Sequence, residues 1–325
     1  MKIHVKTPAR LHLGLIDLNG GLGRVFGGLG VGINQPNVVL EATLSEKLSA
    51  NGLEKELVES LARRFLDAYH LKGRFANLNL KQKIPEHVGL GSGTQLSLAV
   101  ATALAKLFNV EASTQELALV MGRAKRTGVG TTIFKKGGFV VDGGKAVRTG
   151  SGVSEKFPPV IFHQPFPEDW VFVVAVPNGK TGLSASMEVS AFENLSPMPL
   201  ENVGRVCHLI MMKLLPALLE HDIENFGEAL TQIQIIVGNQ FASVQDGTYS
   251  CMITADGIDF MRKLGVHGVG QSSWGPTFYG LCRDEKEAKK VQMEVQRFID
   301  ESGGGRVFAT KADNKGAYIR VDAET

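Results

Sequence analysis

The sequence predicts an α+β protein of two domains, and three observations carry that reading. Its 325 residues exceed one ordinary core, at about 100–200 residues per domain. Strand-like and helix-like patterns are mixed along the chain, with no repeat of 20–50 residues. Four prolines crowd into "SEKFPPVIFHQPFPEDW", residues 154–170, and mark a break in composition. The boundary is placed there, giving domains at 1–163 and 164–325.

The elements follow in order. Ile3 and Val5 alternate with polar neighbours over Lys2–Thr7, as in a half-buried strand, and Leu11, Leu13 and Leu15 continue the period beyond Pro8. "PNVVLEATL", residues 36–44, reads as a second strand. Leu53–Leu71 has helical spacing, with Leu57, Leu61, Phe65 and Ala68 on one face. "RFANLNLKQKIP" is a strand whose inward residues are Phe75, Leu78 and Leu80. A glycine-rich turn then enters an alanine-rich helix, "PEHVGLGSGTQLSLAVATALAKLF", residues 85–108. Ser113-x-x-Glu116 is a capping box that starts another helix. Gly137–Val141 and Lys145–Arg148 predict a hairpin turning at "DGG". In the second half, Trp170–Val176 is an apolar strand. Leu200–Glu220 and Asp222–Val237 are helices, the first kinked or split by Pro216. Thr254–Leu264 is a short helix, Phe278–Cys282 a strand, and Asp284–Glu301 a helix capped by Asp284. Two strands in "RVFATKADNKGAYIRV" complete the pattern.

Composition narrows the function. Hydrophobic residues make up 43% and charged residues 21%, with a formal net charge of +2, which suits a globular protein with a large core. No basic face interleaved with aromatics points to nucleic acid. No run approaches the ~18 apolar residues of a membrane span, and the N-terminal stretch lacks a signal-peptide core, so a cytoplasmic protein is expected. Cys207, Cys251 and Cys282 are too scattered for a zinc site or a disulfide framework. The 38 glycines instead cluster at Gly14–Gly32, Gly89–Gly93, Gly128–Gly144 and Gly265–Gly280, where the backbone turns sharply or approaches a ligand.

Gly89-Leu90-Gly91-Ser92-Gly93-Thr94-Gln95 carries the most chemistry. Glycines at a helix N-terminus let successive N–H groups face an anion, and the helix dipole favours negative charge there. The loop lacks the Gly-Lys-Ser/Thr of a P-loop and the spacing of a dinucleotide fingerprint. Phosphate binding and a plain tight turn both remain open from these residues alone.

The loop, with Pro85 ahead of it, resembles the phosphate loop of the GHMP superfamily (galactokinase, homoserine kinase, mevalonate kinase and phosphomevalonate kinase). "TPARLHLGLIDLNGG", "LLEHDIENFGEAL" and "GVHGVGQSSWGPTFYGL" resemble that superfamily's other motifs, in order and over essentially the whole chain. The resemblance implies a GHMP-kinase-like fold, with an N-terminal domain of the ribosomal protein S5 domain 2 type and a ferredoxin-like C-terminal domain, the active site lying between them. Three departures set the chain apart from the kinases. Gly93 and Thr94 stand where kinases have Ser-Ala. Gly130 stands where many place the aspartate that activates the acceptor hydroxyl. Gln271, Ser272, Ser273 and Trp274 interrupt the last glycine motif. With Arg10-Leu11-His12-Leu13-Gly14-Leu15-Ile16-Asp17 and Gly137-Gly138-Phe139-x-x-Asp142-Gly143-Gly144, these departures resemble the β-ribofuranosylaminobenzene 5′-phosphate synthase branch of methanopterin biosynthesis.

That branch implies a decarboxylating phosphoribosyl transferase. Phosphoribosyl pyrophosphate joins para-hydroxybenzoate or para-aminobenzoate with release of CO₂ and pyrophosphate. The implied partners are those small molecules, with Mg²⁺ as cofactor and a homodimer as the assembly. Gly89, Gly91, Ser92, Gly93, Thr94 and Gln95 would bind phosphate, and Ser92 and Thr94 would offer hydroxyls to Mg²⁺. Arg10, His12, Arg123, Gly270, Gln271, Ser272, Ser273 and Trp274 would contact substrate. Asp17 and Arg126 are the catalytic candidates; Asp17 suits a turn role in "DLNGG" equally. Arg123 and Arg126, three apart at a helix end, could share a face and bind an oxyanion. An ATP-dependent kinase of the homoserine or mevalonate type and an inert ligand-binding homologue are the alternatives.

Overall fold

The computed structural model describes residues 1–148, 152–179, 182, 185–245 and 247–322, and the side chains of all of these except 185–188. Two sheets organise the chain. The first part runs β1 (Lys2–Asp17), β2 (Arg24–Leu44), β3 (Ser49–Gly52), α1 (Lys55–Ala68), β4 (Ala76–Gln82), α2 (Ser92–Phe108), α3 (Thr114–Val120), α4 (Val129–Lys136), β5 (Phe139–Asp142), β6 (Lys145–Arg148), β7 (Gly152–Val153) and β8 (Val160–Gln164). The second runs β9 (Val171–Pro177), α5 (Ala185–Glu193), α6 (Leu200–Leu209), a π-helical turn (Ile210–Leu214), α7 (Leu215–Glu220), α8 (Ile223–Gln245), α9 (Met252–Lys263), β10 (Gly268–Gln271), β11 (Phe278–Cys282), α10 (Glu285–Glu301), β12 (Gly305–Lys311) and β13 (Tyr318–Asp322).

In the first sheet β1 and β2 form a long antiparallel pair, and the order continues β13-β1-β2-β4-β3. The early half of β2 also pairs β5 and β6, and its later half pairs β4. The second sheet is antiparallel in the order β10-β11-β9-β12. With helices between β9 and β10 and between β11 and β12, that is the split βαβ arrangement of a ferredoxin-like domain. Helix α2 is apolar on nearly every face because it is buried along nearly its whole length, from Gln95 to Leu107. Its N-terminus opens toward the second sheet.

Several local expectations shift. The buried stripe of α1 is Val58, Ala62, Phe65 and Leu66, one position round from the predicted face, so Leu57 and Ala68 are exposed. Phe75 precedes β4 and is exposed, while Leu78 and Leu80 point inward as expected. The "DGG" segment joins no hairpin: β5 and β6 pair successive stretches of β2, not each other. The break in Leu200–Glu220 is the π turn, and Pro216 opens the helix after it, where its missing N–H costs nothing. That stretch is long and apolar enough to cross a membrane by length and composition, yet Val206, Ile210, Leu214 and Leu218 pack it into the core. The last two strands separate, β12 into the second sheet and β13 beside β1 in the first. Both capping serine and aspartate act as read: Ser113 forms a full capping box, and Asp284 accepts from the Glu287 N–H.

Candidate active site

The glycine loop ahead of α2 is built by backbone contact with two other segments. Gly91, in the left-handed region (φ 81°), starts α2 without any side-chain cap, which leaves the first turn for an anion. Arg10 on β1 braces the loop: its backbone N–H donates to the Leu90 carbonyl (3.1 Å) and its Nη1 to the Gly89 carbonyl (2.6 Å). A Cβ on Gly91 would stand 2.8 Å from the Arg10 Cγ, so glycine is needed here for both conformation and space. From the other side comes the "GQSSWG" segment. Gly89 lies against the Ser272 carbonyl, and Gly275 against the Val88 carbonyl, each so closely that a methyl group would overlap backbone. Ser272 ties the three segments together. Its Oγ accepts from the His12 N–H (3.0 Å) and donates to the Gly89 carbonyl (2.7 Å).

In front of this junction lies a cavity of about 320 Å³ with two chemically distinct ends. At the α2 end stand Arg10, Thr94 and Arg123. The Arg123 Nε donates to Thr94 Oγ1 (3.3 Å), and its guanidinium lies over Gly93, where a Cβ would be 2.9 Å from Nη2. At the other end Phe192, Phe241 and Trp274 form an edge-to-face aromatic cluster. Trp274 is 4.5 Å from Phe241 and 5.6 Å from Phe192 between centroids. The Arg126 guanidinium sits 3.9 Å over the Phe192 ring, a cation–π contact that places a fixed cation beside the aromatic wall. Helix α8 supplies one side through Gln234, Val237, Gly238, Phe241 and Gln245, which share a face at helical spacing. Gln234 stitches the floor, donating from Nε2 to the Leu13 carbonyl (2.7 Å) and accepting from the Gln271 N–H (3.0 Å).

Two buried titratable groups bear on the electrostatics. His12 lines the cavity floor, and burial, helped by neighbouring Arg10, lowers its pKa to about 3. It is a neutral imidazole at physiological pH, a hydrogen-bonding surface rather than an acid. Asp142, behind the cavity, is pushed the other way: burial raises it to about 6 despite accepting backbone N–H bonds. Their effects on stability oppose each other. His12 makes stability fall as pH drops from 6.5 toward 3, because only the unfolded chain takes the proton. Asp142 makes stability fall as pH rises from 3.8 toward 6, because the folded chain holds its proton longer.

The structure brings Arg10, His12, Thr94, Arg123, Arg126, Gln271, Ser273 and Trp274 to one cavity. Gly89, Gly91, Ser92 and Gly93 form the turn and first helical residues at its edge. Others among the expected site residues stand outside the cavity lining. Asp17 Oδ1 accepts from the N–H groups of Asn19 (2.7 Å) and Gly20 (2.8 Å), the turn role, and Asp17 does not line the cavity. Gln95 is buried beneath the loop and donates to the Gly130 carbonyl (2.9 Å). Gly270 makes room for Gln234 and Tyr279, and Ser272 is buried within the junction. Arg123 and Arg126 lie in the α3–α4 connection rather than on a helix end, because Gly122 (φ 69°) and Ala124 (φ 57°) turn the chain there. Phe192, Phe241 and Gln234 were not anticipated. A helix stripe continued past Gly238 would have revealed Phe241; nothing local marks Phe192.

The hydroxyls expected to meet Mg²⁺, on Ser92 and Thr94, stand at the start of α2. Among the described residues no group of three or more His, Cys, Asp or Glu could hold a metal ion, and no carboxylate lines the cavity. The Thr94 hydroxyl is engaged by a guanidinium, a poor neighbour for a dication.

This two-domain fold, with a glycine loop at a helix N-terminus between the sheets, defines a GHMP superfamily protein. The GHMP kinases N terminal domain matches residues 56–135 and the GHMP kinases C terminal domain residues 214–301. The chain belongs more narrowly to the β-ribofuranosylphenol 5′-phosphate synthase family. It is 37% identical to the β-ribofuranosylphenol 5′-phosphate synthase of Methanothermobacter thermautotrophicus, covering 98% of this chain and 99% of that one. The Archaeoglobus fulgidus protein of that name is 36% identical over 98% of this chain and all of its own. Among solved structures, homoserine kinase from Cytophaga hutchinsonii superposes with a TM-score of 0.68 at 17% identity, covering 98% of this chain and 97% of that one. Mevalonate diphosphate decarboxylase from Staphylococcus aureus gives 0.69 at 13%, covering 98% of each. These last two share the fold.

Proposed function

We propose that this enzyme condenses phosphoribosyl pyrophosphate with para-hydroxybenzoate, releasing CO₂ and pyrophosphate, in methanopterin biosynthesis. The observation that carries the reading is the two-ended cavity: cations at a helix N-terminus at one end, an aromatic wall with a guanidinium at the other, and no carboxylate between them among the described residues. The names of the relatives favour the hydroxy acceptor over the amino one, since a ribofuranosylphenol is the product of the former.

The bonds change as follows. The ribose C1–oxygen bond breaks toward pyrophosphate, and the ring carbon bearing the carboxylate forms the new C–C bond to C1. The electron pair of the ring–carboxylate bond then restores aromaticity as CO₂ leaves. No proton need be removed from the attacked carbon. Charge develops on the departing pyrophosphate, where Arg10, Arg123 and the α2 N-terminus are already oriented. Any Mg²⁺ enters as the counter-ion of the substrate. The acceptor ring lies against Trp274, Phe192 and Phe241, with Arg126 paired to its carboxylate. Ring and C1 are thereby held in attacking order.

Incubation with phosphoribosyl pyrophosphate and carboxyl-labelled para-hydroxybenzoate is expected to release labelled CO₂. ATP turnover on small alcohols in place of that release would overturn the reading. Phe192→Ala is expected to raise the KM for the benzoate roughly tenfold, since an aromatic contact and its burial are worth about 1–2 kcal/mol. The KM for phosphoribosyl pyrophosphate should stay within about twofold; an equal rise in both would move the aromatic end out of acceptor binding. The three cysteines are unpaired, which suits a reducing compartment, and we place the protein in the cytoplasm as a homodimer. Light scattering of the purified protein tests the assembly.

A further inference from the structure

Asp142 has no part in the chemistry above, yet it is completely buried (0% exposed) immediately behind the site. Its Oδ2 accepts from the Gly128 N–H (2.8 Å) and its Oδ1 from the Gly144 N–H (2.8 Å). Gly128 is the N-cap of α4 and has no side chain with which to cap it. The carboxylate therefore caps this helix from a neighbouring strand. Arg126 and Thr127, the two residues before Gly128, line the cavity. Gly130, two residues after it, is tied to α2 through Gln95 (2.9 Å).

We infer that Asp142 is the positioning residue of the site, its ionised carboxylate holding Gly128 and thereby the Arg126–Thr127 corner against the cavity. Only the activity readout of this assignment rests on the reaction proposed above. The charged groups around Asp142 are known from each element. On β6, Lys145 attracts it and donates to the Lys156 carbonyl (2.8 Å), with Glu155 beside it. On β2, Arg24 donates to the Gly143 and Gly144 carbonyls (2.7 Å each). On β8, Val160 lies opposite Asp142, and His163 contacts the Gly137 carbonyl at the far end of β5. Lys135 and Lys136 are at the other end of α4.

Burial sets the carboxyl pKa at about 6, so both ionisation states are reached in mild acid. Once protonated, the carboxyl keeps one unprotonated oxygen, so one of the two N–H groups loses its charge-assisted acceptor and the cap weakens. Activity and stability then respond to pH in opposite directions. The corner is held above pH 6, whereas the contribution of this group to stability is greatest below pH 3.8.

The test compares the wild type with Asp142→Asn between pH 5 and 8, reading kcat for CO₂ release and the exchange protection of the Gly128 and Gly144 amides, corrected for intrinsic rates. The wild type is expected to lose kcat with a one-proton limb near pH 6, and the Gly128 amide to lose protection with it. In Asp142→Asn the limb should vanish, with kcat at pH 7.5 down roughly 10- to 100-fold through misalignment and KM changed less. A folded variant with wild-type kcat, or one that keeps the limb, overturns the assignment. If Asp142→Asn does not fold, wild-type exchange decides: Gly128 protection unchanged from pH 7 to 5 overturns it. Wild-type protein that releases no CO₂ yet shows the pH-dependent Gly128 amide refutes the reaction and leaves Asp142 in its role.

Discussion

Replacing Gly130 with aspartate is expected to lower kcat/KM for phosphoribosyl pyrophosphate by roughly a hundredfold or more while leaving the fold intact. The Gly130 Cβ would lie 3.3 Å from the Thr94 Cγ2, a tight contact that a few tenths of an ångström of movement by the threonine side chain would relieve, so the new carboxylate would stand next to the α2 end of the cavity. Two unit charges about 4 Å apart repel by about 4 kcal/mol at an effective dielectric of 20, and pyrophosphate carries more than one. Each 1.4 kcal/mol is about tenfold in affinity. The helix itself should accept the change, because an acid in the first turn of α4 favours the dipole. The measurement is steady-state kinetics alongside thermal melting. A kcat/KM within about threefold of wild type would mean that position 130 does not see the leaving group. The same substitution in a kinase would restore a base; in this enzyme it should act as a poison.

Gly275→Ala should have the largest effect on stability. The added methyl would overlap the Val88 carbonyl, and the obstacle is backbone, which cannot rotate out of the way. Overpacking of this kind costs about 3 kcal/mol, a fall of roughly 5 °C or more in Tm for a chain of this size. Affinity for pyrophosphate should fall with it, because the glycine loop must separate from the "GQSSWG" segment. Gly204→Ala is the control. Nothing lies within 4 Å of a Cβ there, and the residue is inside α6, so about 0.5–1 kcal/mol should be gained. A Gly275→Ala variant as stable as wild type would show that the two loops are not meshed at this point.

What could be read in the sequence follows from the range of the interactions. Ser113 and Asp284 cap helices through contacts three residues away, so their signals are complete in a short window. The glycine loop was legible because its glycines serve both its own turn and close backbone packing. Asp142 lies in a glycine motif whose pattern predicts a hairpin turn. Its partner, the Gly128 N–H, is 14 residues away, and nothing local announces it. Phe241 lies beyond the predicted helix end at Val237, inside α8. Gly238 looks like a stop, yet it lies inside α8 because the Thr248 carbonyl packs where its side chain would be. Asp17 shows a short-range contact of the same kind as Ser113 and Asp284: its carboxylate accepts from the amides two and three residues on, the turn role that "DLNGG" suggests.

The hydroxyl of Ser272 joins His12 and Gly89, partners 260 and 183 residues away in the chain. This has a consequence for how the enzyme comes into being. Contacts of such separation close last, since each requires a long loop to be brought together first. A chain still lacking its 270s segment has neither the seryl bridge to Gly89 nor the glycine at 275 that lies against Val88. The complete glycine loop therefore forms late, together with the second sheet.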